Sequence, residues 1–142
     1  MTDNPKNGIT VAIDAMGGDF GPSVVVPGVV EALRDGLGYR AALYGDAEAI
    51  AAVVAEQDAS DLPLDIVHCS EDIEMGEAPA SAIRNRPDSP IVRAMRDHKT
   101  GDVSAVVSAG STGAMVAGSL MLLGRQPSVD RPAIATVIPS LV

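Results

Sequence analysis

The sequence predicts an α/β protein with a three-layer, doubly wound and mostly parallel sheet. Two observations predict this fold class. Short apolar runs of strand length recur along the chain, and helical patterns of about a dozen residues lie between them. Because most of the runs are apolar at consecutive positions, both faces of each strand should be buried under helices, as in a parallel sheet. Strands and helices that alternate in this way are joined by right-handed crossovers.

The predicted strands contain small branched residues rather than aromatic ones. Aromatic side chains make up 2% of the 142 residues, so Val, Ile, Leu, Ala and Met must fill the core. A chain of this length typically forms one domain with one sizeable core. The predicted strands are Ile9–Ile13, Ala41–Tyr44, Leu64–Val67, Val103–Val107 and Ala133–Ile138.

The predicted helices begin and end at residues that favour helix boundaries. Pro22 suits the first helical position, where its missing N–H would be unpaired in any case. Pro27 should lie in the first turns of that helix or kink it. Asp46 is a good N-cap, and Gly124 suits the position just past a helix end. The predicted helices cover about Pro22–Asp35, Ala47–Gln57, residues 78–86 and 90–99, and Ser111–Leu123.

The charge is acidic overall and unevenly distributed. The formal net charge is −9, which together with the scarcity of aromatic rings argues against nucleic acid as a partner. Residues 1–83 hold 15 acidic and 3 basic residues, whereas residues 84–142 hold 4 acidic and 7 basic residues. The bases between positions 84 and 99 form either a solvated helix face or a surface that binds an acidic ligand or partner. They are Arg84, Arg86, Arg93, Arg96 and Lys99.

Cysteine and histidine are too few for a disulfide or a metal cluster. Cys69 is the single cysteine and follows an apolar run, which predicts a buried structural thiol. His68 and His98 are the only histidines, and each is interpreted as structural. No zinc pattern is therefore present, and we expect no metal. The first residues lack an apolar leader and no apolar stretch reaches about 20 residues, so we expect a cytoplasmic protein.

A first glycine-rich loop, residues 14–22, follows a predicted strand and opens a helix. In open α/β sheets ligands bind outside the carboxyl ends of the strands, where glycines let the backbone approach an anion closely. The candidate binding residues are Asp14, Gly17 and Gly18. Asp14 and Asp19 suit a hydroxyl, an amine, a metal or a helix N-cap better than a bare phosphate. The alternative is a tight turn that needs glycine for its shape alone, and the spacing is not the GxGxxG of dinucleotide sites.

A second loop, residues 108–114, also lies between a predicted strand and a predicted helix. It offers hydroxyls, glycines and a helix N-terminus without a carboxylate, which is the set of donors that an oxyanion requires. Ser111 or Thr112 can also cap the helix, and that role is compatible with ligand contact. Because no Ser-His-Asp or Cys-His arrangement is visible, catalysis would rest on positioning an anion and stabilising charge. The candidate binding residues are Ser108, Gly110, Ser111, Thr112 and Gly113.

The two loops carry a family resemblance. The residues Asp14-Ala15-Met16-Gly17-Gly18-Asp19 and Gly21-Pro22, with Ser108-Ala109-Gly110 and Thr112-Gly113-Ala114, resemble the bacterial phosphate acyltransferases of phospholipid synthesis. The segment Arg131-Pro132-Ala133-Ile134-Ala135 is similar to the next strand of that family. The resemblance extends over nearly the whole chain in the same order.

This resemblance implies an enzyme that transfers a fatty acyl group from acyl carrier protein to inorganic phosphate and releases acyl phosphate for glycerol-phosphate acylation. It also implies a homodimer without a cofactor, and a fold like that of phosphotransacetylase and the isopropylmalate dehydrogenases. Family members are more than twice as long, and their remaining part carries a region linked to peripheral membrane association. Because this chain stops just after an apolar run, we expect residues 1–142 to be the N-terminal part of a single longer α/β domain.

The chain departs from the family pattern at two places. Ser111 stands where the family usually has asparagine, which shortens a ligand contact. The family's basic segment, generally with lysines, reads here as residues 84–90 and contains arginines instead. Arginine and lysine are not interchangeable where a point charge is needed. The catalytic residue is therefore left open among Asp19, Arg84 and Arg86.

Two alternative functions stay open at this point. Short-chain phosphate acyltransferases that use coenzyme A thioesters have the same fold, and a comparison of the two thioester donors separates them from the carrier-protein enzymes. The second alternative is a non-catalytic anion-binding fragment. Whether the reading frame continues past Val142 distinguishes this alternative from an enzyme.

Overall fold

The structure, a computed structural model, describes residues 8–36, 38–74 and 76–138. Four strands in this part of the chain form one parallel sheet in the order β3-β2-β1-β4. The strands are β1 (Thr10–Asp14), β2 (Arg40–Gly45), β3 (Leu64–His68) and β4 (Ala105–Ser108). With helices on both faces of the sheet, this is the three-layer α/β fold that the apolar runs predict.

Five α-helices connect or follow the strands within the described residues. They are α1 (Pro22–Arg34), α2 (Ala47–Glu56), α3 (Pro79–Asn85), α4 (Pro90–Thr100) and α5 (Thr112–Gly118), and α5 continues into a π-helical turn over Ser119–Leu123. The predicted ends of the first four helices are confirmed to within one residue. None of the described helices has the length and apolar character needed to cross a membrane.

Helix boundaries fall where the local chemistry favours them. Pro22 opens α1, and Pro27 lies in its second turn without interrupting it. The Asp46 carboxylate accepts hydrogen bonds from the amides of Glu48 (2.9 Å) and Ala49 (3.2 Å), which confirms Asp46 as the N-cap of α2. Gly124 has a φ of 87° and ends the π-helical turn, as the sequence predicts for this position.

Side chains of the sheet alternate between two buried faces. Leu43 of β2 packs with Val30 of α1 and Ile50 of α2 on one face. The next residue, Tyr44, points to the opposite face, where it shares a core cluster with Ala94 of α4. A third cluster joins α3, α4 and α5. The central strands β1 and β2 are therefore buried on both sides, which is why their sequences are apolar at consecutive positions, whereas the edge strands β3 and β4 are only partly buried.

The chain reverses its direction across the sheet between β3 and β4. It runs outward from β1 through β2 to β3 and then crosses back, so that β4 pairs with the other side of β1. In that pair Asp14 lies opposite Ser108, at the carboxyl ends of the two strands. This position is the topological switch point, where open α/β sheets bind their ligands.

The prediction of a fifth strand over Ala133–Ile138 is wrong. These residues are irregular and add no strand to the sheet within the described part of the chain. Ile134 is 63% exposed and Val137 is 93% exposed. An apolar run becomes a buried strand only where other layers cover both of its faces. No described element covers these side chains, so the segment lacks the burial that would stabilise a ladder.

Candidate functional site

The first loop turns sharply between β1 and α1 at its glycines. Gly18 has a φ of 82° and Gly21 a φ of 50°, values at which a side chain would be strained. Gly17 is needed for another reason, because a Cβ there would lie 2.7 Å from the amide nitrogen of Gly110. The glycines therefore shape the turn and also let the first loop touch the second.

A chain of hydrogen bonds joins the two loops at the ends of β1 and β4. The Ser108 hydroxyl donates to Asp14 Oδ2 over 2.7 Å and accepts from the Gly110 amide over 3.0 Å. The other carboxylate oxygen of Asp14 accepts from the Met16 amide over 3.1 Å. Burial raises the pKa of the Asp14 carboxyl above its usual value, while the hydrogen bond from Ser108 acts in the opposite direction. Two predicted binding residues, Asp14 and Ser108, are thus bonded to each other.

Ser111 caps α5 while the amides around it remain free. The Ser111 hydroxyl accepts from the Ala114 amide over 3.2 Å, which confirms the capping role predicted for it. Within the described residues, the amides of Ser111, Thr112 and Gly113 donate to no protein acceptor, as is typical of a first helical turn. A Cβ on Gly113 would lie 2.7 Å from Pro79 Cγ, so this glycine lets α3 and α5 pack closely.

Both loops line a single cleft with a volume of about 200 Å³. The residues of the two loops that line it are Asp14, Met16, Gly17, Gly18, Gly110 and Ser111. Five of these are predicted binding residues, and Met16 is an addition. The structure therefore brings most of the candidate residues to one place, at the switch point of the sheet.

The cleft also has an acidic wall that the sequence interpretation did not place there. Its remaining lining consists of residues 72–74 and 89–91, and the wall carries the carboxylates of Asp72 and Glu74. Part of the stretch from Ser70 to Pro90 lines the cleft, because Ile73 packs against the core cluster of α3, α4 and α5. The available signal was its place in the sequence, directly after the carboxyl end of a strand.

Two side-chain anchors hold the stretch between β3 and α3 beside the cleft. Asp88 Oδ2 accepts hydrogen bonds from the amide (2.9 Å) and the hydroxyl (2.6 Å) of Ser70. The other oxygen of Asp88 pairs with Arg93. At the far end of the stretch, Arg86 pairs with Glu77 over 2.9 Å. The hydrogen bonds from Ser70, with help from Arg93, hold the pKa of the Asp88 carboxyl well below its usual range.

The candidate catalytic residues do not line the cleft. Asp19 is exposed in the first loop, and Arg84 is exposed on α3. Arg86 is half-buried and is engaged with Glu77. Because Arg86 and Arg93 lie in ion pairs, only part of the basic cluster stays exposed. The exposed bases are Arg84, Arg96 and Lys99.

An apolar groove of about 690 Å³ shares Gly110 with the cleft. It is lined mainly by α5, the π-helical turn and residues 132–134. Ser108 and Thr112, two predicted binding residues, line this groove rather than the cleft. The second loop therefore separates a polar space from an apolar one.

Cys69 and the histidines have structural contacts. Cys69 is buried as predicted, and burial raises the pKa of its thiol to about 11. His68 Nδ1 lies 3.3 Å from the Ala47 amide, and His98 Nδ1 lies 3.1 Å from the Val103 carbonyl oxygen. None of these three side chains is among the described residues that line the cleft.

Comparison with known proteins identifies the relatives of this chain. Residues 9–142 match the family model described as "Fatty acid synthesis protein". A protein named phosphate acyltransferase from Heliobacterium modesticaldum is 48% identical over 132 residues, which are 92% of this chain and 39% of the relative. The protein of that name from Oleidesulfovibrio alaskensis is 42% identical over 130 residues, 92% of this chain and 37% of the relative. The protein of that name from Trichodesmium erythraeum is 42% identical over 132 residues, which are 93% of this chain and 38% of the relative. This chain thus spans about two fifths of the length of the curated relatives it matches.

Proposed function

The chain belongs to the fatty acid synthesis protein family, and from this premise we propose that it supplies the phosphate-binding part of an acyltransferase. The proposed enzyme transfers a fatty acyl group from acyl carrier protein to inorganic phosphate and yields acyl phosphate for phospholipid synthesis. The observation that carries the proposal is the meeting of two glycine loops beside one cleft at the switch point of the sheet. We further propose that the enzyme is a cytoplasmic homodimer and that residues 1–142 are the N-terminal part of a single longer domain.

Phosphate is proposed to bind where the second loop opens into α5. The amides of Ser111, Thr112 and Gly113 have no acceptor within the described residues, and free amides at such a turn favour an anion. Gly18, in the facing part of the first loop, leaves the backbone accessible because it has no side chain. This arrangement supports an anion held by backbone groups rather than by a charged side chain.

The acidic wall favours phosphate that carries a proton. Asp72 and Glu74 line the cleft, and ionised carboxylates only accept hydrogen bonds. Inorganic phosphate retains a hydroxyl near neutral pH, whereas sulfate does not. A cleft with the Ser111 amide on one side and carboxylate acceptors on the other therefore suits hydrogen phosphate better than sulfate. Asp72 and Glu74, which the sequence analysis did not assign to the site, thus have a function in the proposed site.

The proposed chemistry is a direct attack of phosphate on the thioester. A phosphate oxygen forms a bond to the carbonyl carbon, the C–S bond breaks, and the carrier thiolate leaves and takes up a proton. The free amides of the second loop offset the negative charge of the phosphate and of the developing oxyanion. No acyl-enzyme is required in this step, because phosphate itself is the nucleophile; the Cys69 thiol is buried and does not line the cleft.

The exposed bases near α3 and α4 are proposed to receive the acidic carrier protein. Arg84, Arg96 and Lys99 are exposed, and complementary charge accelerates association of partners. Arg84→Glu should raise the KM for the carrier thioester and weaken the dependence of the rate on salt. Arg131→Glu, which reverses an exposed charge outside the cluster, is the matched control.

Trapping of the product with hydroxylamine tests the proposed reaction. The protein expressed from its complete reading frame should form acyl hydroxamate only when carrier thioester and phosphate are both present. Sulfate in place of phosphate should give no product. Failure to form hydroxamate with phosphate would contradict the proposal. Coenzyme A thioester is the second donor to assay, and a preference for it would reassign the enzyme to short-chain phosphate acyl transfer.

A further inference from the structure

Asp14 occupies the cleft wall and yet has both of its carboxylate oxygens engaged. Oδ2 accepts from the Ser108 hydroxyl at 2.7 Å, and Oδ1 accepts from the Met16 amide at 3.1 Å. The residue is 4% exposed. Unlike the exposed carboxylates of Asp72 and Glu74, this buried carboxylate already accepts a hydrogen bond at each oxygen, so a phosphate placed directly on it would set two anions against each other for little gain. Direct binding of phosphate by Asp14 is therefore unfavourable.

Asp14 instead fixes the position of the second loop through its hydrogen bond to Ser108. Ser108 uses its hydroxyl hydrogen for Asp14, which leaves the oxygen lone pairs directed at the Gly110 amide 3.0 Å away. Asp14 and Ser108 are also register partners on β1 and β4, so both ends of this bond start from the rigid sheet. The Gly110 amide is thus tied to the sheet through one hydroxyl.

The space around these bonds leaves no room for a side chain at either glycine. A Cβ on Gly110 would lie 3.1 Å from Ser108 Oγ and 3.3 Å from Asp14 Oδ2. A Cβ on Gly17 would lie 2.9 Å from the same Asp14 oxygen. The carboxylate therefore fills the gap between the two loops, and the glycines are the residues that leave room for it.

We infer that Asp14 and Ser108 are positioning residues that act on phosphate through the second loop, and this inference rests on the proposed function. The chain of bonds from Asp14 through Ser108 to the Gly110 amide fixes the turn that precedes Ser111. That turn positions the free amide of Ser111, which lines the cleft, toward the anion. Asp14 fixes the position of the second loop and makes no contact with phosphate.

Kinetics of matched variants in the complete protein test the inference. Ser108→Ala removes the hydroxyl and leaves the Gly110 amide without its acceptor, so the KM for phosphate should rise about 10- to 100-fold. The KM for the acyl donor should change much less, because the oxyanion that the loop amides stabilise develops on the donor only in the transition state, whereas phosphate is held by the turn in the ground state. Ser108→Thr keeps a hydroxyl and should recover most of the phosphate affinity. A merely structural role would not separate the two KM values or distinguish alanine from threonine.

The double variant shows whether Asp14 acts through Ser108. Asp14→Asn puts an amide group into a site that requires two acceptors, and it should also raise the KM for phosphate. If Asp14 works only through Ser108, the combined variant should resemble Ser108→Ala alone. Additive effects of the two changes would overturn the inference in favour of a separate contact between Asp14 and phosphate.

Two further outcomes distinguish the inference from the proposed function. A wild-type enzyme that is active with phosphate, together with a Ser108→Ala variant whose phosphate KM stays within about twofold, overturns the inference alone. A wild-type enzyme that forms no acyl phosphate overturns the proposed function and the inference with it.

Hydrogen exchange of the Gly110 amide gives a readout besides activity. It should be faster in both single variants, and unchanged exchange in both would show that the chain of bonds does not hold the loop.

Discussion

Gly17 approaches the backbone of Gly110 so closely that a Cβ on Gly17 would lie 2.7 Å from the Gly110 amide nitrogen. The atom in the way belongs to the backbone, so a side chain at position 17 can be accommodated only if one loop moves. Gly17→Ala should therefore lower the free energy of unfolding by about 1–3 kcal/mol, the usual cost of overpacking. It should also weaken phosphate binding, because the loops that form the cleft would separate. Urea unfolding and a titration with inorganic phosphate measure the two effects.

Gly28 provides the matched control for this change. It lies inside α1, is exposed, and a Cβ there would meet nothing within 4 Å. Gly28→Ala should raise the free energy of unfolding by about 0.5–1 kcal/mol, since glycine is costly within a helix. Equal effects of the two alanines would show that Gly17 matters only as a flexible residue and not for the contact between the loops.

The Cys69 thiol should resist modification while the protein is folded. It is 4% exposed, and burial raises its pKa to about 11, so at pH 8 it is neither accessible nor ionised. Iodoacetamide should label it slowly in buffer and rapidly in denaturant, and mass spectrometry measures the extent. A Ser60→Cys substitution in a Cys69→Ala background places a thiol at an exposed position and should react quickly when folded. Fast labelling of Cys69 in the folded protein would contradict its buried position.

The hydroxyl of Tyr44 ties the sheet to α4. It donates to Asp97 Oδ2 over 2.6 Å, and the tyrosine is 2% exposed. Burial, together with this hydrogen bond, raises the pKa of the phenol, so the donor stays protonated at all ordinary pH values. Tyr44→Phe should lower the free energy of unfolding by about 1.5–3 kcal/mol, because the bond is made to a charged group. Tyr39→Phe, on a half-buried ring, should change it by less than about 0.5 kcal/mol.

The apolar runs were sufficient to predict the fold because burial on both faces makes the central strands β1 and β2 apolar at consecutive positions. Leu43 and Tyr44 are consecutive residues whose side chains point to opposite faces of the sheet. Each is apolar enough to extend the apolar run from which the strand was predicted. The same rule failed at Ala133–Ile138, where the apolar pattern is present and the covering layers are not. Periodicity reports which side chains prefer burial and does not report what covers them.

The two loops of the candidate site could be predicted from the sequence, but its acidic wall could not. Glycines after a strand indicate a close approach, but Gly17 meets another loop, and Gly113 meets Pro79. Asp72 reaches the cleft through the packing of Ile73 and through the anchor between Asp88 and Ser70. These contacts join residues distant in sequence and depend on tertiary structure, so no local pattern specifies them.

Acid should destabilise the protein in part through Asp88. Two hydrogen bonds from Ser70 and the pair with Arg93 hold the pKa of this carboxyl below its unfolded value of 3.8. A depressed folded pKa means that the stabilisation is present above about pH 3.8 and is lost as the pH falls further. Burial raises the pKa of the Asp14 carboxyl, so keeping it ionised lowers the stability of the folded protein. This cost disappears as the pH falls and Asp14 becomes protonated. The contribution of Asp88 must therefore be obtained as a difference between variants.

Asp88→Asn is the variant that isolates this contribution. It keeps an oxygen that can accept from Ser70 and removes the titrating charge. Urea unfolding between pH 5 and pH 2 should show a shallower loss of stability in Asp88→Asn than in the wild-type protein. Asp61→Asn, which removes an exposed carboxylate elsewhere, is the control for net charge. Parallel curves for the wild-type protein and Asp88→Asn would mean that Ser70 and Arg93 do not bind the ionised carboxylate, and the stretch that carries Asp72 would then lack its proposed anchor.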